Sequence, residues 1–286
     1  MRPIPRVIAL LRRLDQHKAE ISVKTTESVL PMTLQIEPVP CLRDNYAWLA
    51  HDKDEGVCFV VDPSEAEPVR RALAAHGLKL THILNTHHHP DHVGGNLALK
   101  AQFGASIIGP GKDAARIPGI DIGVTEGETC RVGSYEAKVL EIPAHTRGHI
   151  AFWFEKDGCV FTGDTLFAMG CGRLFEGDPP TMWSSLSKLM RLPDSTRVYC
   201  GHEYTEANGR FALTVEPGNP DLSARMVEVR RVRAEGQPTL PSTIGLEKKT
   251  NPFVRAQSGE IRSSLGLEAA DDVEVFAETR RRKDAF

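Results

Sequence analysis

The sequence predicts an α/β protein in which two mixed β-sheets pack face to face under outer helices, followed by a smaller helical region. Three observations lead to this fold class. Short apolar, β-branched runs alternate with helical spacing up to about residue 203. Four of these runs end close to a His or an Asp, which indicates strand ends aligned along one edge. After residue 203 the strand patterns fade and helical spacing dominates.

The bulk composition is that of a soluble globular protein. The chain has 286 residues, of which 41% are hydrophobic and 26% charged, enough for one large domain or two. The formal net charge of −3 shows no excess of basic residues of the kind that binds nucleic acid, so we expect no nucleic-acid partner. No apolar run approaches the roughly 20 residues that span a bilayer, so we expect no membrane association.

The cysteines predict a reducing compartment. Their spacing contains no C-x-x-C pair and suggests no disulfide framework, so we expect reduced core thiols in a cytoplasmic protein that is a monomer. The six are Cys41, Cys58, Cys130, Cys159, Cys171 and Cys200.

Three segments are expected. Residues 1–31 form an N-terminal extension that we expect to be disordered. Its apolar piece, Val7–Leu11, is too short for a secretory signal, and Asp15, Glu20 and Glu27 argue against a mitochondrial one. Residues 32–203 form the mixed α/β domain, and residues 204–286 form the helical domain.

The first part of the α/β domain reads as strands followed by a helix. The apolar run Val57–Val61 ends at Asp62-Pro63, a turn signal, and the helical pattern after it stops at Gly77. The predicted elements are strands over Leu34–Val39, Tyr46–Ala50 and Val57–Val61, and a helix over Glu65–His76.

The most informative stretch is Asn85–Asn96, between the strand-like Thr81–Asn85 and a predicted helix over Asn96–Phe103. Alternation along an extended loop would place His87, His89 and Asp91 on one side, with His92 beside them. Imidazole and carboxylate groups are good ligands for Zn²⁺ and similar ions. A solvated polar turn is the alternative, and the density of histidines makes it the weaker interpretation.

Further strands and helices follow this stretch. A hairpin is predicted at Lys156-Asp157-Gly158, and Asp221 is the predicted N-cap of a helix. The strands are expected at Ala105–Ile108, Val139–Ile142, Ile150–Glu155, Cys159–Thr162 and Arg197–Cys200, and the helices at Tyr204–Val215, Asp221–Glu235 and Asp271–Arg282.

Counting the candidate ligands indicates two metal ions. Besides the four residues of Asn85–Asn96, the candidates are His145, Asp164 and His202, each of which follows a predicted strand. These seven ligands are too many for one tetrahedral site that keeps a position open. Two ions that share a bridging carboxylate fit the number better, with Asp164 as the bridge. We expect His87, His89 and His145 on one ion, and Asp91, His92 and His202 on the other.

Several motifs accompany these ligands, and together they resemble the hydroxyacylglutathione hydrolases (glyoxalase II) of the metallo-β-lactamase superfamily. The resemblance runs from about residue 32 to the C-terminus. The motifs are Asp44-Asn45-Tyr46, T-H-H-H-P-D-H at 86–92, P-A-H-T-R-G-H at 143–149, F-T-G-D-T-L-F at 161–167, G-C-G-R-L-F-E-G at 170–177, Y-C-G-H-E-Y-T at 199–205 and R-R-R-K-D at 280–284.

The resemblance implies an αββα sandwich with a C-terminal helical domain that binds glutathione. It implies a binuclear enzyme that hydrolyses S-D-lactoylglutathione to glutathione and D-lactate with a metal-bridging hydroxide, in methylglyoxal detoxification. The seven ligands match those of the family, with Asp91 and Asp164 in catalytic positions. Zinc is the expected metal, with iron or manganese as alternatives. The matching substrate-binding residues are Arg173, Tyr204, Arg280, Lys283 and Phe175, the last of which replaces a tyrosine found in some members.

A thioester suits this ligand set. Two Zn²⁺, two carboxylates and one hydroxide leave about one positive charge to polarise a carbonyl. A thiolate can leave without being protonated by a strong general acid, because the pKa of the corresponding thiol is only about 8.5. The alternatives are an iron persulfide dioxygenase with one metal and a purely structural metal site. A one-metal dioxygenase would not need Asp91, His92 and His202 as a second set of ligands. A structural site would not need an open coordination position.

Overall fold

The computed structural model describes residues 34–286, so the predicted extension over residues 1–31 lies outside the described residues. The first sheet has six strands in the order β1 to β6, antiparallel from β1 to β3 and parallel from β3 to β6. These strands are β1 (Gln35–Cys41), β2 (Asn45–Asp52), β3 (Val57–Val61), β4 (His82–Leu84), β5 (Ser106–Pro110) and β6 (Ile122–Val124).

The second sheet is also mixed and also has six strands, in the order β14-β13-β10-β9-β8-β7. Only the pair formed by β10 and β13 is parallel. The strands are β7 (Thr129–Val132), β8 (Tyr135–Glu141), β9 (Ile150–Phe154), β10 (Cys159–Gly163), β13 (Arg197–Cys200) and β14 (Ser242–Thr243), and a small ribbon is formed by β11 (Leu166–Phe167) and β12 (Gly170–Cys171).

The helices of the described residues cover the two sheets. Two short 3₁₀ turns, Gly111–Arg116 and Pro252–Val254, accompany them. The α-helices are α1 (Ala66–His76), α2 (Pro90–Val93), α3 (Asn96–Phe103), α4 (Pro179–Leu189), α5 (Thr205–Val215), α6 (Pro220–Ala234), α7 (Ile244–Thr250), α8 (Gly259–Leu265) and α9 (Asp272–Ala285).

An aromatic core holds the two sheets together. Phe59 of the first sheet stacks on Phe154 of the second with ring centroids 5.4 Å apart, and both rings also contact Phe161. Each of these side chains is fully buried, which stabilises the fold by about 1.5–3 kcal/mol per residue. The predicted face-to-face packing of two mixed sheets is therefore confirmed.

Each sheet also buries its outer face under helices. Leu73 of α1 and Leu99 of α3 pack over the first sheet. On the second sheet, Leu186 of α4 shares a core with Phe253 and Phe276 from the C-terminal region. The order of layers is helix, sheet, sheet, helix, as predicted, and the C-terminal helices belong to the outer layer of the second sheet.

Local signals explain where several helices begin and end. Gly77 takes the left-handed conformation (φ 63°) that ends α1, as its position in the sequence predicted. Asp271 and Glu274 form a reciprocal capping box at the start of α9. The predicted N-cap at Asp221 is wrong, because Asn219 accepts the hydrogen bond from the Leu222 amide and Pro220 begins α6.

The sequence prediction missed short or weakly patterned elements. Strand β7 and the helices α4, α7 and α8 were not predicted, and the strand predicted over Val139–Ile142 covers only the end of β8. The start of α4 does carry a signal, since Asp178 caps it and Pro179 is its first residue. The hairpin at residues 156–158 is confirmed, since β9 and β10 pair antiparallel with Phe154 opposite Cys159.

A hydrogen bond across the core predicts unequal effects of two tryptophan substitutions. Trp48 is buried and donates from Nε1 to the Cys200 carbonyl at 2.9 Å, whereas Nε1 of the half-buried Trp153 has no partner among the described residues. We expect Trp48→Phe to lower the free energy of unfolding by about 2–4 kcal/mol, and Trp153→Phe by less than about 1 kcal/mol. Denaturant titration of both variants measures the difference, and equal losses would contradict this role of Trp48.

Candidate metal centre and substrate pocket

The loop after β4 supplies four of the predicted ligands. His87 and His89 lie on the loop itself, but Asp91 and His92 lie on α2, which begins at Pro90. The expectation that Asp91 continues an extended alternation is therefore wrong, because proline at the first helical position turns the chain. The helical turn still directs Asp91 and His92 towards the centre.

Tight backbone packing fixes this loop. A Cβ atom on Gly94 would clash with the Ser64 carbonyl oxygen, so the loop approaches the turn after β3 only because this position is glycine. The Asn85 amide group donates to the His92 carbonyl at 3.1 Å and closes the loop from within. The ligands of this loop therefore stand on a rigid support.

The other three ligands follow the ends of strands in the second sheet. His145 comes after β8, Asp164 directly after β10, and His202 two residues after β13. Ala144, beside His145, has a strained φ of 127°. An isolated β-bridge between Asn45 and His202 joins the two sheets at this point. The structure thus brings together all seven residues that the sequence singled out.

The seven ligands form two groups. In the first, Nδ1 of His89 lies 3.2 Å from Nε2 of His87 and 3.1 Å from Nε2 of His145. In the second, Oδ2 of Asp91 lies 3.5 Å from Nε2 of both His92 and His202. Each group places three ligand atoms within 4.8 Å of one another.

Asp164 lies between the two groups. Its Oδ2 is 3.4 Å from Nε2 of His145 and 3.2 Å from Nε2 of His202, and its Oδ1 is 3.4 Å from Nε2 of His92. A single carboxylate therefore faces both sets of imidazoles. This is the position that a bridging ligand needs.

These distances fit a divalent cation. Ligands about 2.0–2.1 Å from a tetrahedral Zn²⁺ are about 3.3 Å apart, close to the separations observed here. Nε2 of His92 and Oδ1 of Asp164 are buried without a hydrogen-bond partner among residues 34–286. Unpaired buried polar atoms are rare in native proteins, and a bound cation would satisfy both.

Two carboxylates orient histidines from outside the centre. Nδ1 of His92 donates to Oδ2 of Asp62 at 3.1 Å, and Nδ1 of His202 donates to Oδ1 of Asp44 at 2.9 Å. Protonation at Nδ1 leaves the Nε2 lone pair directed inward. Such contacts fix the tautomer of a metal-binding imidazole and raise its basicity.

Neutral acceptors do the same for two other histidines. Nδ1 of His145 donates to the Arg173 carbonyl at 2.9 Å. The Thr86 hydroxyl donates to Asp62 at 2.6 Å, so it accepts from Nδ1 of His87 at 3.0 Å. In both rings Nε2 therefore keeps its lone pair for the centre.

Sequence reasoning missed the role of Asp62 and of Asn45. Asp62 was recognised only as a turn signal, yet its carboxylate accepts from the Thr86 amide, the Thr86 hydroxyl and His92. Asn45 donates to Oδ2 of Asp91 at 3.0 Å. The available signal for Asp62 was its position directly after a buried strand, the same signal that identified Asp164.

The electrostatic environment differs between the two ligand groups. Burial lowers the pKa of His87 and His145, and it lowers the pKa of His89 to about 4, so these rings stay neutral. Burial alone would raise the pKa of Asp164, but the neighbouring His92 and His202 outweigh it and the pKa falls. Burial also acts to lower the pKa of His92 and His202, but the adjacent Asp164 outweighs it and raises both, so this side of the centre favours positive charge. Metal binding requires neutral imidazoles and ionised carboxylates, which is the state already favoured in the first group.

The two remaining histidines of the cluster, His88 and His149, have other partners. His149 stacks on His87 with ring centroids 4.6 Å apart and accepts a hydrogen bond from the Asp164 amide at 3.0 Å. His88 faces away and lies 3.2 Å from Asp113. His149 therefore supports Asp164 and His87 by a hydrogen bond and by ring stacking, while His88 pairs with Asp113.

A pocket of about 380 Å³ opens onto the ligands. The predicted substrate-binding residues all line it. Tyr204 stacks on His202 with ring centroids 4.6 Å apart, and the exposed Phe175 ring lies 5.2 Å from that of His145. The lining residues are His89, Asp91, His145, Asp164, Phe167, Cys171, Gly172, Arg173, Phe175, His202, Tyr204, Ala207, Asn208, Arg280 and Lys283.

The two cations predicted on α9 differ in their surroundings. Arg280 is buried and already donates to the Cys171 carbonyl at 2.8 Å and to Asp284. Lys283 has no ion pair within the described part of the chain, and its amino group lies 5.6 Å from the centre of the Phe211 ring. Burial and the nearby Arg280 lower the pKa of Lys283, which indicates a pocket end rich in positive charge.

The loop that carries Arg173 and Phe175 is anchored by Glu176. Its carboxylate accepts from the Arg147 amide at 2.9 Å and from the Arg116 guanidinium at 3.1 Å. This pairing joins positions 60 residues apart, and no motif in the sequence predicted it. The loop is therefore held against the rim of the pocket.

Comparisons of sequence agree with the two parts of this site. The sequence model of the metallo-β-lactamase superfamily matches residues 42–202, which contain all ligands of the centre. The model described as the hydroxyacylglutathione hydrolase C-terminus matches residues 203–286, which contain α9.

Curated relatives and solved structures extend the comparison. A hydroxyacylglutathione hydrolase of Methylococcus capsulatus is 54% identical over 253 residues, covering 88% of this chain and 99% of the relative. One of Chelativorans sp. is 53% identical, covering 89% and 100%. The crystal structure of ETHE1 from Myxococcus xanthus has a TM-score of 0.60 at 26% identity, covering 89% of this chain and all of that one. The chain therefore belongs to the hydroxyacylglutathione hydrolase family of the metallo-β-lactamase superfamily.

Proposed function

We propose that the protein is a metal-dependent hydrolase of S-(2-hydroxyacyl)glutathione thioesters. The observation that carries this proposal is the pocket, where the seven candidate ligands meet a cationic end formed by α9. Relatives more than half identical over most of their length are named hydroxyacylglutathione hydrolases. The substrate we propose is S-D-lactoylglutathione, which gives glutathione and D-lactate in methylglyoxal detoxification.

We propose two Zn²⁺ ions, one on each ligand group, with iron or manganese as alternatives that these donors also accept. His87, His89 and His145 would hold one ion, Asp91, His92 and His202 the other, and Asp164 both. When bound, the ions supply an electrophile for the thioester carbonyl and a water that ionises near neutral pH. A structure related at 27% identity with a TM-score of 0.53 is described as a di-iron-bound form.

The cysteine that lines the pocket is a poor nucleophile. Burial raises the pKa of the Cys171 thiol to about 11, so the only cysteine of the pocket wall stays protonated. Water is therefore the attacking group, with Asp91 and Asp164 as the charged ligands around it. The glutathione thiolate leaves without a dedicated acid, because its pKa is only about 8.5.

The substrate would lie with its acyl group at the ligands and its peptide towards α9. Glutathione carries two carboxylates, and Arg173 and Lys283 supply cationic contacts for them at the pocket end. Arg280 reinforces that positive charge while it is held by Asp284. Tyr204 and Phe175 provide ring surfaces beside the thioester, although Phe175 lacks the hydroxyl found in some members of the family.

The second ligand group favours hydrolysis over the mononuclear iron dioxygenase. Asp91, His92 and His202 lie together with unsatisfied nitrogen at their centre, which a one-metal enzyme would not need. We also propose residues 32–203 as the catalytic domain and residues 204–286 as the glutathione-binding domain, in a cytoplasmic monomer. No helix within residues 34–286 is long and apolar enough to cross a membrane.

A ligand substitution should separate activity from folding. We expect His89→Ala to lower thioester hydrolysis at least about 100-fold and to reduce bound metal, because one ion loses a ligand from the open side of the pocket. The control His82→Ala, on β4 but outside the centre, should keep both. Circular dichroism should be unchanged in both variants, whereas equal loss of structure and activity would indicate a structural metal site.

Asp62 should control metal affinity without being a ligand. Asp62→Asn weakens the acceptor for His92 and should lower the affinity for Zn²⁺ about 10–100-fold. Asp113→Asn is the matched control, since it changes the carboxylate beside His88 instead. Competition with a zinc-binding dye measures both affinities, and similar affinities in the two variants would contradict the role of Asp62.

Lys283 should act on substrate binding alone. Lys283→Met keeps the aliphatic stem and should raise KM for the glutathione thioester about tenfold, equivalent to about 1.4 kcal/mol, with kcat nearly unchanged. A small neutral thioester should be hydrolysed as before. Arg281→Met, on the outer side of α9, is the control for lost charge. A similar rise in KM for both substrates, or in both variants, would refute the carboxylate contact.

A further inference from the structure

A second cluster of metal-binding side chains lies on the helix-covered face of the first sheet. It consists of Glu37 on β1, His51 on β2 and His76, the last residue of α1. One ligand atom from each lies within 4.8 Å of the other two. Three separate elements thus direct His, His and Glu to one point.

This cluster is separate from the candidate metal centre. Asn45, at the start of β2, contacts Asp91 of that centre, and His51 is six residues further along the same strand. At about 3.3 Å per residue the two positions are about 20 Å apart. None of the three side chains lines the substrate pocket.

One nitrogen of this cluster, Nδ1 of His51, has no hydrogen-bond partner within residues 34–286. Nε2 of His76 lies 2.8 Å and 3.0 Å from the two carboxylate oxygens of Glu37. The His51 ring lies 5.5 Å from that of His76, and His51 is only 3% exposed. A simple ion pair between Glu37 and His76 would not explain this buried, unsatisfied nitrogen.

The donor chemistry specifies the class of ion. Two imidazoles and one carboxylate are typical of zinc and related transition metals, and they do not suit Mg²⁺ or Ca²⁺, which prefer oxygen. Burial lowers the pKa of His51, which keeps its ring neutral, as a ligand must be. Glu37 and His76 are partly exposed, so an ion can enter from solvent.

We propose that Glu37, His51 and His76 form a second binding site for a divalent transition-metal ion such as Zn²⁺. A bound ion would tie the edge strand β1 to the end of α1 and to β2. It would therefore stabilise this face of the first sheet without taking part in thioester hydrolysis. The site is independent of the proposed function, because neither its ligands nor its position involves the substrate pocket.

The proposal is tested by counting zinc on the full chain. Equilibrium dialysis against buffered free Zn²⁺ is compared for the unchanged protein, His76→Ala, Glu37→Gln and the control Glu67→Gln, an exposed acid on α1. We expect the unchanged protein and Glu67→Gln to bind one Zn²⁺ per chain more than His76→Ala. Glu37→Gln should bind that additional ion at least tenfold more weakly.

Thermal unfolding provides the second measurement. Each protein is first saturated with Zn²⁺ at the catalytic metal centre. Further Zn²⁺ should then raise Tm in the unchanged protein and in Glu67→Gln, but not in His76→Ala. Thioester hydrolysis should be the same in all four proteins, which separates this site from the catalytic one. Equal zinc counts in the unchanged protein and both ligand variants, or an equal rise in Tm, would overturn the proposal.

Discussion

The site depends on one electrostatic constraint, which is that buried carboxylates need a cation close by. Asp164 is almost fully buried and faces imidazoles on both sides at 3.2–3.4 Å. Its desolvation would be costly without positive charge. Burial acts to lower the pKa of His92, but Asp164, Asp62 and Asp91 outweigh it and raise that pKa, which indicates how strongly the centre favours positive charge. Metal ions would supply that charge, and the surrounding hydrogen bonds present imidazole lone pairs to them.

The two sheets meet this constraint together because neither contains the whole centre. The first sheet positions His87 through Asp62 and Thr86, and the second positions Asp164 and His202 at its strand ends. The sheets are joined at the same edge by the bridge between Asn45 and His202 and by the Trp48 hydrogen bond to Cys200. Packing between the sheets and geometry at the centre are therefore coupled, and core substitutions near this edge affect both.

The sequence predicted the ligands better than their supports, for a physical reason. A His or Asp within a few residues of a β-run lies near a strand end whatever the exact register, so His145, Asp164 and His202 could be identified. The contact of Asp62 with His92 depends on which strands are neighbours and spans 30 residues. The hydrogen bond from Arg280 to the Cys171 carbonyl spans 109 residues and depends on how the C-terminal helices pack. The position of Asp62 after a strand marks the residue but not its partner, and nothing local in the sequence pairs Arg280 with Cys171.

The packing of α9 also divides the work between its two pocket cations. Arg280 is fixed by Asp284 and a backbone carbonyl, so its charge is constant but its donors are mostly occupied. Lys283 carries three donors and has no ion pair within residues 34–286, and burial and Arg280 lower its pKa. A substrate carboxylate near Lys283 would favour its protonated form and so strengthen its own contact. Arg280 would thus set the local charge and Lys283 would contact the ligand, so that the peptide is bound without constraining the acyl group at the metal end.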